Sequence, residues 1–211
     1  MVGFYDYTVI LPYMSVVSAV LGLGFAAGGR PAKAVVCLMV CGFLDMFDGT
    51  VARTKKNRTD NEKKFGIQID SMSDLIAFGV LPVMIAHSLG LHKWYEYMPI
   101  ALYVLAALIR LAYYNVTEDE LQITAGEKRV YYDGLPVTTV GLLIPFLYAF
   151  RPMLGESFHY WYLGWLLIIA GLFVVKVKIR KLDKKGMVAI VLLGLIMLAI
   201  LVSRGQIRAY G

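Results

Sequence analysis

Charge is scarce in this 211-residue chain. Only 17% of its residues are charged and 59% are hydrophobic, with a mean hydropathy of +0.65. An ordinary soluble domain carries about 25% charged and about 45–50% apolar residues. The apolar residues also fall in runs, which excludes a water-soluble globule and places most of the mass in a bilayer. Cysteine is nearly absent: Cys37 and Cys41 lie four apart inside an apolar run, and read as packing thiols rather than a metal pair. The histidines, His87, His92 and His159, have no metal-ligand spacing. Internal repeats and low-complexity tracts are missing. The opening residues MVGFYDYTVI lack a basic stretch and a small-residue cleavage site, so no cleavable leader is expected.

What is present is a series of apolar segments. Seven approach the length needed to cross about 30 Å of hydrocarbon at about 1.5 Å per residue. They cover residues 9–28, 32–53, 66–91, 96–114, 134–151, 160–177 and 186–203. The expected fold is therefore all-α: a polytopic transmembrane bundle of six core helices plus a seventh, C-terminal helix, forming one catalytic domain over 1–211 with its core at 9–177. Arg53, Lys55, Lys56, Arg58, Lys63 and Lys64 follow the second segment; Lys176, Lys178, Arg180, Lys181, Lys184 and Lys185 follow the sixth. These hold 12 of the 21 basic residues, and seven crossings put both loops on one face. That face is expected to be cytoplasmic, in the cell membrane, where the same charges attract anionic lipid. Trp94, Trp161 and Trp165 with Tyr95, Tyr97, Tyr160 and Tyr162 read as an aromatic belt at the opposite interface.

Against this apolar background, four aspartates stand at the basic ends of the second and third segments. Asp45, Asp48, Gly49 and Ala52 recur at helical spacing, with Arg53 one step round; Gly66, Asp70 and Asp74 do the same on the next helix. Ionisable residues in apolar spans are costly and usually functional. If the helices 32–53 and 66–91 face each other, four carboxylates converge, and their mutual repulsion calls for protons or cations. One or two divalent cations with oxygen ligands meet that need; salt bridging to Arg53 or nearby lysines is the competing reading.

The pattern D-x2-D-G-x2-A-R, a basic linker, then G-x3-D-x3-D resembles the motif of the CDP-alcohol phosphotransferase family. The resemblance implies that Asp45, Asp48, Asp70 and Asp74 hold two divalent cations, Mg²⁺ or Mn²⁺, and that Asp74 is also the base on the incoming alcohol. It implies a CDP-binding surface of Gly49, Ala52, Arg53 and Gly66. Ser15, three residues after Pro12, matches a further position beside the cytidine, although a helix-start proline followed by a packing serine explains it as well. Twelve residues separate Arg53 from Gly66, a longer linker than the family pattern has.

The succession FGIQIDSMSDLIAFGVLP, RLAYYN, DGLP and the basic run VVKVKIRKLDKK is similar to the small integral-membrane phosphatidylserine synthases of bacteria and archaea. This implies transfer of a phosphatidyl group from CDP-diacylglycerol to L-serine, membrane lipids as surroundings, a homodimer, and no nucleic-acid partner. Arg110 and Asn115 are the candidate acceptor contacts, Arg110 as a fork for the serine carboxylate or, alternatively, a side chain snorkelling to the interface. Lys128, Arg129 and Asp133 are further candidates, with a solvated surface favoured. The alternatives are another acceptor, glycerol 3-phosphate or an inositol derivative, and a membrane cation transporter. A transporter would more often hold its charges at the midplane, on broken helices.

Overall fold

The computed structural model describes residues 3–124, 131–180 and 184–203. A short 3₁₀ turn, Tyr7–Val9, leads into α1 (Ile10–Ala27). Gly29 adopts φ +70°, and Arg30 N–H donates back to the Phe25 carbonyl at 2.8 Å, closing the helix with the left-handed residue that only glycine accepts cheaply. Pro31 then starts α2 (Pro31–Ala52), where its missing N–H is harmless. The two helices pack through small residues. A Cβ on Gly22 would stand 3.0 Å from Cys37 Cβ, Ser18 Oγ donates to the Cys37 carbonyl, and Cys41 Sγ donates to the Ser15 carbonyl. Both cysteines are free and serve packing.

The next helix is continuous from Asp60 to Ser88 and has three parts: α3 (Asp60–Asp74), a π-helical turn (Leu75–Val80) and α4 (Leu81–Ser88). It starts six residues before the apolar run suggests. Thr59 and Glu62 form a reciprocal capping box, so the polar stretch DNEKKF is helix rather than loop. The π turn begins directly after Asp74. Pro82 has no N–H to return to the Phe78 carbonyl, and the buried Tyr103 hydroxyl donates to that oxygen at 2.5 Å, while Tyr162 donates to the Pro82 carbonyl at 3.0 Å. Tyr103→Phe should lower stability by about 1–3 kcal/mol by leaving this carbonyl without its donor. Unfolding in detergent tests this, with exposed Tyr95→Phe as the control expected to change nothing.

Then come α5 (Tyr97–Thr124), α6 (Val140–Tyr148), the single turn α7 (Arg151–Leu154), α8 (Phe158–Val174) and α9 (Lys184–Ser203). Among the described residues the only strands are β1 (Tyr131–Asp133) and β2 (Lys178–Arg180), an antiparallel pair joining the chain before α6 to the chain after α8. Among the described residues six helices are long and apolar enough to cross a membrane; the fifth expected span is shorter, Val137–Tyr148, because Gly134 at φ +83° and Pro136 make a turn of its first residues. Lys128 and Arg129 lie outside the described residues. The aromatic belt is partly internal: Trp94 and Trp161 are exposed, but Tyr162 is fully buried and Trp165 Nε1 donates to the Leu143 carbonyl. Helix α9 lies at the edge, burying Met197 and Leu201 and turning Leu192, Leu195 and Ile196 outward.

The N-terminal segment is tied to the linker between α2 and α3. Lys55 Nζ bridges Asp6 at 2.8 Å and Glu62 at 2.9 Å, and the Tyr7 hydroxyl meets Thr54 Oγ1 at 3.1 Å. The hydrogen bond from Lys55, with those from Thr8, lowers the Asp6 pKa to about 2. This tether therefore contributes fully above the ordinary carboxylate range and is lost as pH falls through about 2.

Candidate metal centre

Helices α2 and α3 bring the carboxylates together. One oxygen each from Asp45, Asp70 and Asp74 lies within 4.8 Å of the others. Asp48 lies next to Asp70 and accepts from the Gly49 N–H. Asp45 and Asp74 are likewise neighbours. Asp74 is the most enclosed, with 6% of its surface exposed. Carboxylates this close repel one another unless a counter-charge lies between them. Asp70 Oδ1 is buried and has no hydrogen-bond partner among the described residues. An all-carboxylate donor set with one oxygen left without a partner fits a hard divalent cation.

A contact that spacing did not reveal comes from the segment before α6. The Thr138 side chain lies beside Asp45. It can do so because α2 and α6 touch at glycines: a Cβ built on Gly141 would stand 3.2 Å from Gly42 Cα, and one on Gly42 would stand 3.4 Å from Gly141 Cα. Arg110 braces the same segment, donating from Nε to the Leu135 carbonyl at 3.1 Å with its guanidinium near the Tyr114 ring. It is 5% exposed and lines a groove with Ile109, Tyr113, Phe173 and Lys176. Asn115 instead reaches the aspartate helix directly, its Oδ1 accepting from Ser71 Oγ at 3.0 Å. We expect Thr138→Val to reduce turnover by about tenfold by taking a polar hydroxyl away from a charged group, with a smaller effect for Thr138→Ser. Steady-state kinetics on both variants checks the order.

The other expected residues frame the cluster. The Ser15 hydroxyl is buried in the α1–α2 interface without a partner among the described residues, at the level of Cys41, one turn from Asp45. Ala52 ends α2. Arg53 folds back over the last turn, Nη2 reaching Thr50 Oγ1 at 3.4 Å and lying 3.9 Å from where a Gly49 Cβ would stand. Gly66 lies one turn before Asp70, beneath the Arg58 guanidinium.

The sequence matches the CDP-alcohol phosphatidyltransferase family over residues 7–177. The chain belongs to this family. With six helices able to cross a bilayer, this CDP-alcohol phosphatidyltransferase family member is a multi-pass membrane protein. It is 34% identical over 154 residues to the CDP-diacylglycerol–serine O-phosphatidyltransferase of Saccharomyces cerevisiae, covering 69% of this chain and 54% of that protein. It is 28% identical over 155 residues to the enzyme of the same name from Mycobacterium tuberculosis, covering 73% and 52% respectively. The archaetidylserine synthase of Methanothermobacter thermautotrophicus is 30% identical over 140 residues, covering 66% and 56%. The chain spans about half the length of these relatives.

Proposed function

We propose that this chain transfers the phosphatidyl group of CDP-diacylglycerol to L-serine, giving phosphatidylserine and CMP. The observation that carries the reading is the convergence of the motif aspartates on two facing helices, with a buried Asp70 oxygen lacking a partner among the described residues. The choice of serine draws on the names of the relatives. Family membership favours a transferase over a cation transporter.

Asp45, Asp48, Asp70 and Asp74 would hold two divalent cations, Mg²⁺ or Mn²⁺, which when bound supply charge neutralisation at the diphosphate and the departing CMP. Asp74 takes the serine hydroxyl proton as that oxygen forms its bond to the lipid phosphorus; the P–O bond to CMP breaks, and CMP leaves with the electron pair. Asp45 lies beside Asp74 in the cluster, with the Thr138 side chain next to Asp45. Gly49, Ala52, Arg53 and Gly66 form the surface for the cytidine diphosphate, with Ser15 beneath it. Asn115 and Arg110 are the proposed acceptor contacts, Asn115 through its bond to Ser71 and Arg110 through its place under the Leu135 turn. The basic linker residues around the site favour the cytoplasmic face of the cell membrane. A homodimer is part of the proposal through the family resemblance alone.

The test is CMP release from CDP-diacylglycerol by purified protein with serine, with glycerol 3-phosphate, and with no acceptor. Serine-dependent release supports the assignment. Release driven by glycerol 3-phosphate alone moves the chain to another acceptor, and no release with either ends the transferase reading.

A further inference from the structure

The longer linker places a second arginine at the site. Thr59, with extended backbone (φ −67°, ψ 160°), is pinned by its capping box, and this turns the preceding Arg58 back along α3. The Arg58 Nη2 donates to the Glu62 carbonyl at 3.0 Å and lies 2.5 Å from where a Cβ on Gly66 would stand. Any side chain at position 66 would therefore displace this guanidinium. The arrangement repeats on α3 what α2 shows, where Arg53 lies over Gly49. Each motif glycine thus lies under one guanidinium, and Gly66 is a single turn from Asp70.

The Arg58 charge has no counter-ion among the described residues. The neighbouring Glu62 carboxylate is taken by Lys55 and by the Thr59 N–H, and Asp60 by Lys63. The Arg58 Nε is buried without an acceptor among the described residues. A buried donor without a partner is costly and calls for a group that completes it. A guanidinium edge matches the oxygens of a phosphate in a two-pronged fit.

We propose that Arg58, contributed by the extended linker, is a second phosphate-binding arginine that grips the diphosphate of the CDP-linked substrate from the α3 side, opposite Arg53. This rests on the transferase reading above. The phosphate chemistry also occurs in bulk anionic lipid, and the experiment separates the two sources.

The measurements are the KM for CDP-diacylglycerol, the KM for serine, and the direct binding of soluble CDP with divalent cation, on protein in neutral detergent with and without added phosphatidylglycerol. Arg58→Ala should weaken both CDP-diacylglycerol and CDP by about tenfold or more, leave the serine KM unchanged, and do so without phosphatidylglycerol present. Arg58→Lys should recover part of the loss by restoring the charge. Gly66→Ala should weaken CDP binding strongly in the wild-type background and much less in Arg58→Ala, where the added methyl has room. This second comparison keeps the inference testable if one single variant folds poorly. Wild-type CDP affinity in Arg58→Ala overturns the inference and leaves the transferase reading intact. A defect confined to samples containing phosphatidylglycerol also overturns it, by assigning Arg58 to bulk lipid. If the wild-type protein neither binds CDP-diacylglycerol nor releases CMP, the reading and the inference fall together.

Discussion

Asp74→Asn should lower kcat by about 10²–10⁴ while weakening CDP-diacylglycerol binding much less. The carboxylate has the placement this requires. It sits on the last turn of α3, one turn beyond Asp70, so it shares the cluster and still occupies its own level in the bundle. It is 6% exposed, which keeps bulk water from competing as proton acceptor. The π turn that starts at Leu75 follows it directly, and such bulges recur at functional sites because they re-aim one residue within an otherwise regular helix. Asn preserves size but cannot accept the alcohol proton. Steady-state kinetics with each substrate varied in turn separates the two effects. A kcat within tenfold of wild type would place the base elsewhere.

Much of this candidate site is legible in the sequence. Helical spacing put Asp45 and Asp48 on one face and Asp70 and Asp74 on another, and apolar flanks fixed both as membrane helices. The start of α3 was also written in the chain, as Thr59-x-x-Glu62, but a membrane span is sought by its apolar run, and DNEKKF has the composition of a loop. Other features depend on tertiary geometry. Thr138 reaches Asp45 only because Gly42 and Gly141 let two backbones touch. Nothing in the local pattern VTTVG marks its first threonine as facing a carboxylate. Tyr162 and Trp165 share their composition with an interfacial belt, and only the neighbouring Pro82 and Leu143 carbonyls turn them inward. The role of Arg58 is likewise hidden: in the sequence it is one of six basic linker residues, while in the fold it lies on Gly66.

Removing divalent cations should abolish turnover, and Asp70→Asn should do nearly the same. The stabilisation proposed for the metal pair is several kcal/mol; at about 1.36 kcal/mol per tenfold, excess chelator should cut the rate by at least about 10³. Asp70 is the decisive residue to change, because it lies next to Asp48, converges with Asp45 and Asp74, and carries the buried oxygen that lacks a hydrogen-bond partner among the described residues. Stability gives a second readout with opposite signs. A cation that binds only the folded state raises the unfolding temperature of the wild-type protein, and Asp70→Asn should lose most of that rise. In chelator the order should reverse, since the substitution removes one negative charge from a crowded cluster and relieves repulsion. Unfolding curves in detergent, taken with chelator and with Mg²⁺ or Mn²⁺, read both effects on one sample. Full activity in chelator, or an unchanged cation-induced shift in Asp70→Asn, would show that the aspartates serve something other than a metal centre.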